Sequence, residues 1–308
     1  MRLLKYSLLI IVIISLIDYG YHRITADRHA IVVQHLDINH PVQFNHTLRL
    51  ATYNIAHGRG YKLHQRNWKG GNKQQKIKRL QSIGKLLSQQ GADIVVLNEV
   101  DIAAFWTHHI NQAEVIAKAG GYPYIATQKD LDIVIPFAKL QIGNAILSRY
   151  PIESVQLKRF PPHSRTEALL AGNHDSMIAT LRLNQQKKLK LWAVHLEYRE
   201  EKTRLKAAKL IAQEQKISKD DMIIAGDFNS QPSKSAQHKT AITELMHTGY
   251  YQYFPKSKSQ ATLTFPSEHP NEALDWILFP KRMELMQGKV LSARYSDHLS
   301  VFVALRSP

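Results

Sequence analysis

Short apolar runs alternate with helical patterns from residue 48 to the end of the chain, and this alternation restricts the fold more than any other feature. The runs have the length of strands and are bounded by turn residues. The predicted strands cover residues 48–55, 92–100, 143–152, 176–183, 189–197, 221–229, 273–279 and 299–306. Helical periodicity extends over residues 73–90, where Gly91 provides a C-cap, and over residues 201–217. Strands outnumber helices and both recur, which indicates an α/β or α+β fold whose sheets are covered by helices.

The stretch from residue 47 to residue 308 contains no Gly/Ser/Pro linker, no low-complexity tract and no internal repeat. A chain of 308 residues can form one large domain or two ordinary ones. Hydrophobic residues make up 44% of the chain and charged residues 21%, which is sufficient for a packed core. We therefore predict one domain over residues 47–308, preceded by a linker or wrapped arm over residues 23–46.

The N-terminus combines a basic start, residues 1–5, with an apolar run over residues 8–17. A run of this length fits a signal-peptide core or a short anchor, and Tyr19 and Tyr21 follow it as interfacial aromatics do. We predict that residues 1–22 form an apolar anchor or signal segment. The expected arrangement is a transmembrane helix that tethers a domain located outside the cytoplasm to the membrane; cleavage and secretion is the alternative.

The chain carries a formal net charge of +16 and contains no cysteine. The positive charge favours an anionic partner such as nucleic acid, a phospholipid surface or a phosphorylated small molecule, although a solvated basic surface would also explain it. Two basic segments that contain aromatic residues, 61–79 and 149–165, either follow a phosphate backbone or form solvated surface. The lack of cysteine excludes disulfides, thiolate zinc sites, iron–sulfur clusters and cysteine nucleophiles.

Polar side chains follow several of the predicted strands at the point where the strands end. The set comprises Asn54, Glu99, His195, Asp227, Asn229, Asp275, Asp297 and His298. Strand ends converge in sheets of this kind, and ligands and catalytic groups gather there. Carboxylate and carboxamide oxygens suit Mg²⁺, Mn²⁺ or Ca²⁺ better than zinc. Histidines beside carboxylates suit proton transfer and the stabilisation of phosphorane-like charge.

Each of these residues also has a purely structural explanation. A lone Asp or Asn after a strand is usually a turn residue or a helix cap, and His195 would also be explained as a hydrogen-bonded core histidine. Asp275 lies inside an apolar run, where a buried carboxylate requires a partner. The joint pattern is much harder to explain by chance than any one residue.

Six short motifs occur in an order and at a spacing that resemble the endonuclease/exonuclease/phosphatase superfamily. The motifs are LNEVD (97–101), GNAILSRYPI (143–152), VHLE (194–197), GDFN (226–229), LDWIL (274–278) and SDH (296–298). The resemblance extends over residues 48–306, and the superfamily includes the deoxyribonuclease I and neutral sphingomyelinase branches. It implies a four-layer α/β sandwich in which two mixed β-sheets are flanked by helices. It also implies metal-dependent hydrolysis of a phosphate ester.

The resemblance implies a metal site on three of the polar residues. Glu99 would be the principal Mg²⁺ ligand, with Asn54 and Asp297 nearby, and Mn²⁺ is the alternative ion. In-line displacement at phosphorus needs such a metal, together with an activated water and help for the leaving group.

The remaining polar residues are implied to be catalytic. Asp227, helped by Asn229, would orient or deprotonate the attacking water. His298, paired with Asp275, would stabilise the phosphorane-like charge. His195 would protonate the leaving oxygen or bind the phosphate.

The substrate stays open at this stage. A phosphodiesterase acting on nucleic acid fits the positive charge, whereas one acting on a phospholipid headgroup fits the predicted anchor. We expect a monomer. His57, followed by Gly58 and Gly60, is a further candidate for substrate contact because the glycines let the backbone approach a phosphate.

A protein of another class is the alternative to an enzyme. A membrane-tethered binding or scaffold protein would keep the fold without turnover, but it would have no need for the complete polar set. The sequence contains no GxxxxGK[ST], HExxH or GxSxG motif, so no other catalytic signature competes.

Overall fold

Five α-helices, three short 3₁₀ helices and thirteen strands make up the regular structure of the described part of the chain. The computed structural model describes residues 2–39, 42–135, 138–164, 166, 174–218, 221–233, 238–255 and 260–308. The helices are α1 (Arg2–His29), α2 (Lys73–Gln89), α3 (Gln112–Gly120), α4 (Glu201–Ile217) and α5 (Ala241–His247). The strands are β1 (Ile31–His35), β2 (Thr47–Asn54), β3 (Ile94–Ala104), β4 (Tyr124–Ile135), β5 (Ala138–Ser148), β6 (Ile152–Arg159), β7 (Asp175–Arg182), β8 (Lys188–His195), β9 (Met222–Asp227), β10 (Tyr251–Phe254), β11 (Asp275–Pro280), β12 (Glu284–Val290) and β13 (Val301–Arg306).

The strands form two mixed sheets. The first has seven strands in the order β1-β4-β5-β3-β2-β13-β12, and the second has six in the order β10-β11-β9-β8-β7-β6. The pairs β2/β3 and β8/β9 are parallel, and the other pairs are antiparallel. Each sheet therefore contains one pair of neighbouring strands whose carboxyl ends point the same way.

The apolar runs are continuous because both faces of the central strands are buried. In β9, Ile223 and Ala225 pack into the core between the two sheets, whereas Met222 and Ile224 pack under α4 and α5. The outer face of the first sheet is covered in the same way by α2 and α3. The layers are thus helix, sheet, sheet and helix, which confirms the predicted four-layer α/β sandwich.

The predicted helices are confirmed almost to the residue. Asn72 and Gln75 form a reciprocal capping box at the start of α2, and Gly91 adopts a φ of 75° just after its end. Strand β4 was not predicted, because its interior carries polar residues such as Gln128 and Asp132 that interrupt the apolar pattern. Buried polar partners, rather than apolar packing, accommodate those residues.

The N-terminal segment contributes to the fold. Part of the predicted linker or arm (23–46) is the edge strand β1, which pairs antiparallel with β4. Among the described residues, no helix is long and apolar enough to cross a membrane. The predicted transmembrane helix is therefore not supported, since the apolar run stops at Asp18 and a span needs about 20 apolar residues.

Gly226 allows β9 to lie close to β8, and its replacement by alanine should destabilise the fold. Its φ is +148°, and a Cβ at this position would lie 1.8 Å from the Val194 carbonyl oxygen. We expect Gly226→Ala to lower the free energy of unfolding by about 3 kcal/mol, measured by urea denaturation. The matched control is Gly249→Ala: its φ is +76°, but the nearest atom is 4.0 Å away. We expect it to cost only about 1 kcal/mol, and equal losses would contradict the steric argument.

Candidate active site

The polar residues predicted from the sequence lie together where the two sheets face each other. Asn54 ends β2 in the first sheet, and Asp227 ends β9 in the second. The Asn54 Nδ2 atom donates hydrogen bonds to Asp227 Oδ2 and to Glu99 Oε1, each 3.0 Å long. One buried carboxamide therefore joins the strand ends of both sheets and fixes the spacing of two carboxylates.

His298 and Asp275 form a buried ion pair on one side of the site. The His298 Nδ1 atom lies 2.8 Å from Asp275 Oδ2, and its Nε2 atom lies 3.7 Å from Asp227 Oδ2. Burial alone would lower the pKa of His298, but the two carboxylates outweigh it and raise its pKa to about 10. Burial also raises the pKa of Asp275. We assign the charge to the imidazolium, because Asp227 provides a second carboxylate that stabilises it.

Asp227 is held rigidly at the centre of the site. Its backbone N–H donates to Asn98 Oδ1 over 2.9 Å, and its Oδ1 accepts the backbone N–H of Asn229 over 2.9 Å. Asn229 adopts a φ of 47°, and its side-chain Nδ2 donates to the Leu196 carbonyl. The other carboxylate oxygen of Asp227 faces His195, whose Nε2 is 3.9 Å away. This oxygen can therefore accept a proton within the cleft.

Glu99 lies on the opposite side at a β-bulge. Asn98 and Glu99 together oppose the single residue Asn144 of β5, and Glu99 adopts a φ of 52° that turns its side chain to the site. Burial alone would raise the pKa of Glu99, but His57, His195 and Arg59 and the Asn54 hydrogen bond outweigh it. They lower the pKa of Glu99 to about 2, so it is ionised at every physiological pH.

Two residues on this side of the site are not among the predicted site residues. The first is Asp101, which is fully buried and whose Oδ1 lies 2.7 Å from His57 Nδ1. Trp106 and Thr107 donate to its other oxygen, each over 2.8 Å. His57 thereby holds its Nε2 atom 3.5 Å from Glu99 Oε2. The signal in the sequence was the motif LNEVD, which carries Asp101 two residues after Glu99.

Arg59 is the second residue, and it was not predicted. Its Nη2 atom donates to Asp297 Oδ2 over 2.5 Å, and its Nη1 atom lies 3.6 Å from Glu99 Oε2. The guanidinium thus lies between two of the three predicted metal ligands. Burial raises the pKa of Asp297, and Arg59 and His298 only partly offset this.

The oxygens of Glu99 and Asp297 fit a hard divalent cation, because both carboxylates line one cleft and a cationic group already lies between them. The third predicted ligand, Asn54, lies behind them: its Oδ1 accepts the backbone N–H of Ala56 over 3.0 Å, and its Nδ2 faces Glu99 and Asp227. Another group of possible ligands, Asp227, Asp275 and His298, has atoms within 4.8 Å of one another. There His298 Nδ1 is already paired with Asp275 and its Nε2 faces Asp227, an arrangement suited to proton transfer.

The cleft has a volume of about 560 Å³, which is the size of a small-molecule site. Most of the predicted residues line it, whereas Asp275 lies behind His298 and Asn54 behind Glu99 and Asp227. The rest of the wall is mixed in polarity. It includes Leu63, His64, Asp130, Ile142, His174, Tyr198, Arg199 and Phe265.

Asp130 is connected to the backbone N–H of Asp227 by a chain of side-chain amides. Asn98 donates to Asn144 over 2.8 Å, and Asn144 donates to Asp130 Oδ2 over 3.1 Å. Gln128 donates to the other Asp130 oxygen over 3.0 Å. Burial raises the pKa of Asp130 to about 8, and the charge of Asp175 adds to this while the hydrogen bonds oppose it. This carboxyl group therefore binds a proton more tightly than an ordinary aspartate does.

This raised pKa should make the stability of the protein fall with pH. The folded state binds the Asp130 proton more tightly than the unfolded chain, where the pKa is near 3.8. The stabilisation by the proton is therefore lost between about pH 4 and pH 8, by up to about 1.4 kcal/mol per pH unit. We expect Asp130→Asn to become progressively more stable relative to wild type over this range, measured by urea unfolding. A difference between the two proteins that does not change with pH would contradict the protonated state.

The comparisons with known proteins define the class of this chain. Residues 51–298 match the profile of the Endonuclease/Exonuclease/phosphatase family. The chain belongs to this family, whose members hydrolyse phosphate esters. No curated protein matches the sequence significantly.

Solved structures of low sequence identity share the fold. A Bacteroides thetaiotaomicron mannosyl-6-phosphatase is 18% identical, with a TM-score of 0.62, and the match covers 84% of this chain and 99% of that one. TDP2 from D. rerio, complexed with a single-strand DNA product, is 14% identical, with a TM-score of 0.57 and coverages of 85% and 99%. A family member from Beutenbergia cavernae is 16% identical, with a TM-score of 0.60 and coverages of 85% and 72%.

Proposed function

We propose that the protein is a Mg²⁺-dependent hydrolase of phosphate esters, and more specifically a phosphodiesterase. One observation carries the proposal: two walls of complementary chemistry face each other across one cleft. The Glu99 and Asp297 carboxylates form the wall that suits a metal, and the His298 imidazolium with Asp227 forms the wall that suits an anion and its proton transfers.

The residues of this chain divide the chemistry between them. The Oδ2 atom of Asp227, which Asn54 orients, accepts a proton from the attacking water, and Asn229 holds the turn that positions Asp227. The imidazolium of His298 donates a hydrogen bond to a phosphoryl oxygen that gains charge in the transition state. His195, half-buried at the cleft wall, donates a proton to the leaving oxygen. A Mg²⁺ or Mn²⁺ ion held by Glu99 and Asp297, with Asn54 orienting the Glu99 carboxylate, would neutralise charge on the phosphoryl group.

Two substrate classes are supported by different observations. The net charge of +16 and the fold shared with the TDP2–DNA complex support nucleic acid. The apolar residues of α1, many of which are exposed, support a phospholipid headgroup presented at a lipid surface.

The substrate class can be tested by offering three phosphodiesters in parallel. Supercoiled plasmid, sphingomyelin vesicles and a soluble aryl phosphodiester would each be incubated with the full chain with and without Mg²⁺. Plasmid nicking identifies a nuclease, and headgroup release with intact plasmid identifies a lipid phosphodiesterase. Hydrolysis of phosphomonoesters alone, such as a hexose 6-phosphate, would contradict the diesterase proposal. Metal binding without any turnover would favour the scaffold alternative.

The cellular location, the domain bounds and the oligomeric state are proposals from the sequence. We propose that residues 1–22 direct export of the catalytic domain, residues 47–308, and that the protein is a monomer. A reporter enzyme fused after residue 308 that is active only outside the cytoplasm would support export. Light scattering of the purified chain measures its molecular mass in solution and so tests the monomeric state.

A further inference from the structure

Arg59 occupies the position of a cation within the metal-binding wall. Its guanidinium donates to Asp297 over 2.5 Å and lies 3.6 Å from Glu99, and its side chain is only 16% exposed. Its Nε atom is buried and has no hydrogen-bond partner among the described residues. The guanidinium is therefore held by the two carboxylates and by one long bond to Asn67, and it retains an unused donor.

A guanidinium and a divalent cation cannot share this position. Both require the inward oxygens of Glu99 and Asp297, and their positive charges repel each other strongly at such short range. Binding of the ion must therefore break the Arg59–Asp297 contact. The freed side chain remains in the cleft, because its backbone is fixed there by the turn Ala56–Gly58 and by the Arg79 bonds to the carbonyls of Gly58 and Gly70.

We propose that Arg59 is a displaceable counter-ion of the metal site, which leaves Glu99 and Asp297 when a divalent cation binds and then binds the phosphoryl group of the substrate. The inference rests on the metal site of the proposed function and adds an order of binding, in which the metal comes first and the phosphoryl group second. Without metal, Arg59 neutralises the carboxylates and is withheld from anions. With metal, its planar fork is available for the oxygens of a phosphate. Metal and phosphate should therefore bind cooperatively, and the coupling should depend on Arg59.

Metal binding itself provides the test, independently of turnover. Isothermal titration calorimetry with MnCl₂ would be carried out on the metal-stripped full chain, with and without inorganic phosphate. We expect Arg59→Gln to bind Mn²⁺ about tenfold more tightly than wild type, because the competing cation is removed. Arg59→Lys keeps the charge but not the planar guanidinium. We expect its Mn²⁺ affinity to lie between those of wild type and Arg59→Gln. Phosphate should tighten Mn²⁺ binding in wild type and have little effect in Arg59→Gln.

One control variant separates this competition from a general change of charge. Arg49→Gln removes one positive charge beside Asp93, and Arg49 is not among the residues that line the cleft. This variant should bind Mn²⁺ as wild type does. Equal or weaker Mn²⁺ affinity in Arg59→Gln, with the variant folded by circular dichroism, would overturn the inference. Absence of Mn²⁺ binding in Arg59→Gln and wild type alike would overturn the metal site as well.

Discussion

Replacement of His298 by glutamine should lower the rate of phosphodiester hydrolysis by about 10²–10⁴-fold, the range typical of a catalytic proton donor or acceptor. The imidazolium is the charged donor nearest to Asp227, and its charge is maintained by the buried Asp275 carboxylate. Glutamine keeps a hydrogen-bond donor but carries no charge. The initial rate of hydrolysis of a soluble aryl phosphodiester at saturating Mg²⁺ measures the effect.

The pairing with Asp275 makes a stricter test possible. If the two residues act as a unit, the double variant His298→Gln/Asp275→Asn should hydrolyse the substrate no more slowly than the slower of the two single variants. The losses of rate in the single variants should therefore be strongly non-additive. His247→Gln, at an exposed position of α5, is the control for a histidine outside the site. A rate for His298→Gln within tenfold of wild type would show that His298 is structural.

Replacement of Glu99 by glutamine should weaken Mg²⁺ binding by more than about 100-fold. Loss of a residue that only orients a metal ligand typically lowers the metal affinity 10–100-fold. Loss of the ligand itself should therefore lower the affinity further. Glu99 is ionised down to about pH 2, so the variant removes a full negative charge from the wall of the cleft. The Mg²⁺ concentration that gives half-maximal activity should rise accordingly, with a smaller change in activity at saturating metal.

The control for this experiment is Glu114→Gln. Glu114 forms an exposed ion pair with Lys118 on α3, away from the cleft, and its replacement removes the same charge from the protein. Its Mg²⁺ dependence should match that of wild type. If Glu99→Gln also retained the wild-type Mg²⁺ dependence, the metal would have to bind elsewhere, and the Asp227–Asp275–His298 group would be the next candidate.

The sequence predicted best where one physical signal dominates locally. Strand β9 was evident because both of its faces are buried, so residues 222–225 form an unbroken apolar run before Gly226 and Asp227. Helices α2 and α4 were evident from their period. The eight polar residues that follow the strands could be brought together from the motif resemblance, and the structure places them at one cleft or directly behind it. Their individual roles stay predictions.

The sequence could not predict features that depend on distant partners. Arg59 and Asp297 are 238 residues apart, and nothing near either residue indicates their contact. Asp101 resembles an ordinary strand residue until His57, Trp106 and Thr107 are seen to surround it. Strand β4 could not be predicted because the partners of its polar residues lie on other strands. Asp130, for example, accepts hydrogen bonds from Asn144 of β5 and Asp175 of β7.

The measurement that tests the central claim most directly is turnover of a soluble aryl phosphodiester by metal-stripped protein before and after Mg²⁺ is restored. We predict no hydrolysis without metal, recovery on addition of Mg²⁺ or Mn²⁺ to wild type, and no recovery in His298→Gln. Undiminished hydrolysis by the stripped protein would contradict the metal dependence. No hydrolysis of any phosphate ester by wild type with Mg²⁺ bound would contradict the assignment of this chain as an active enzyme.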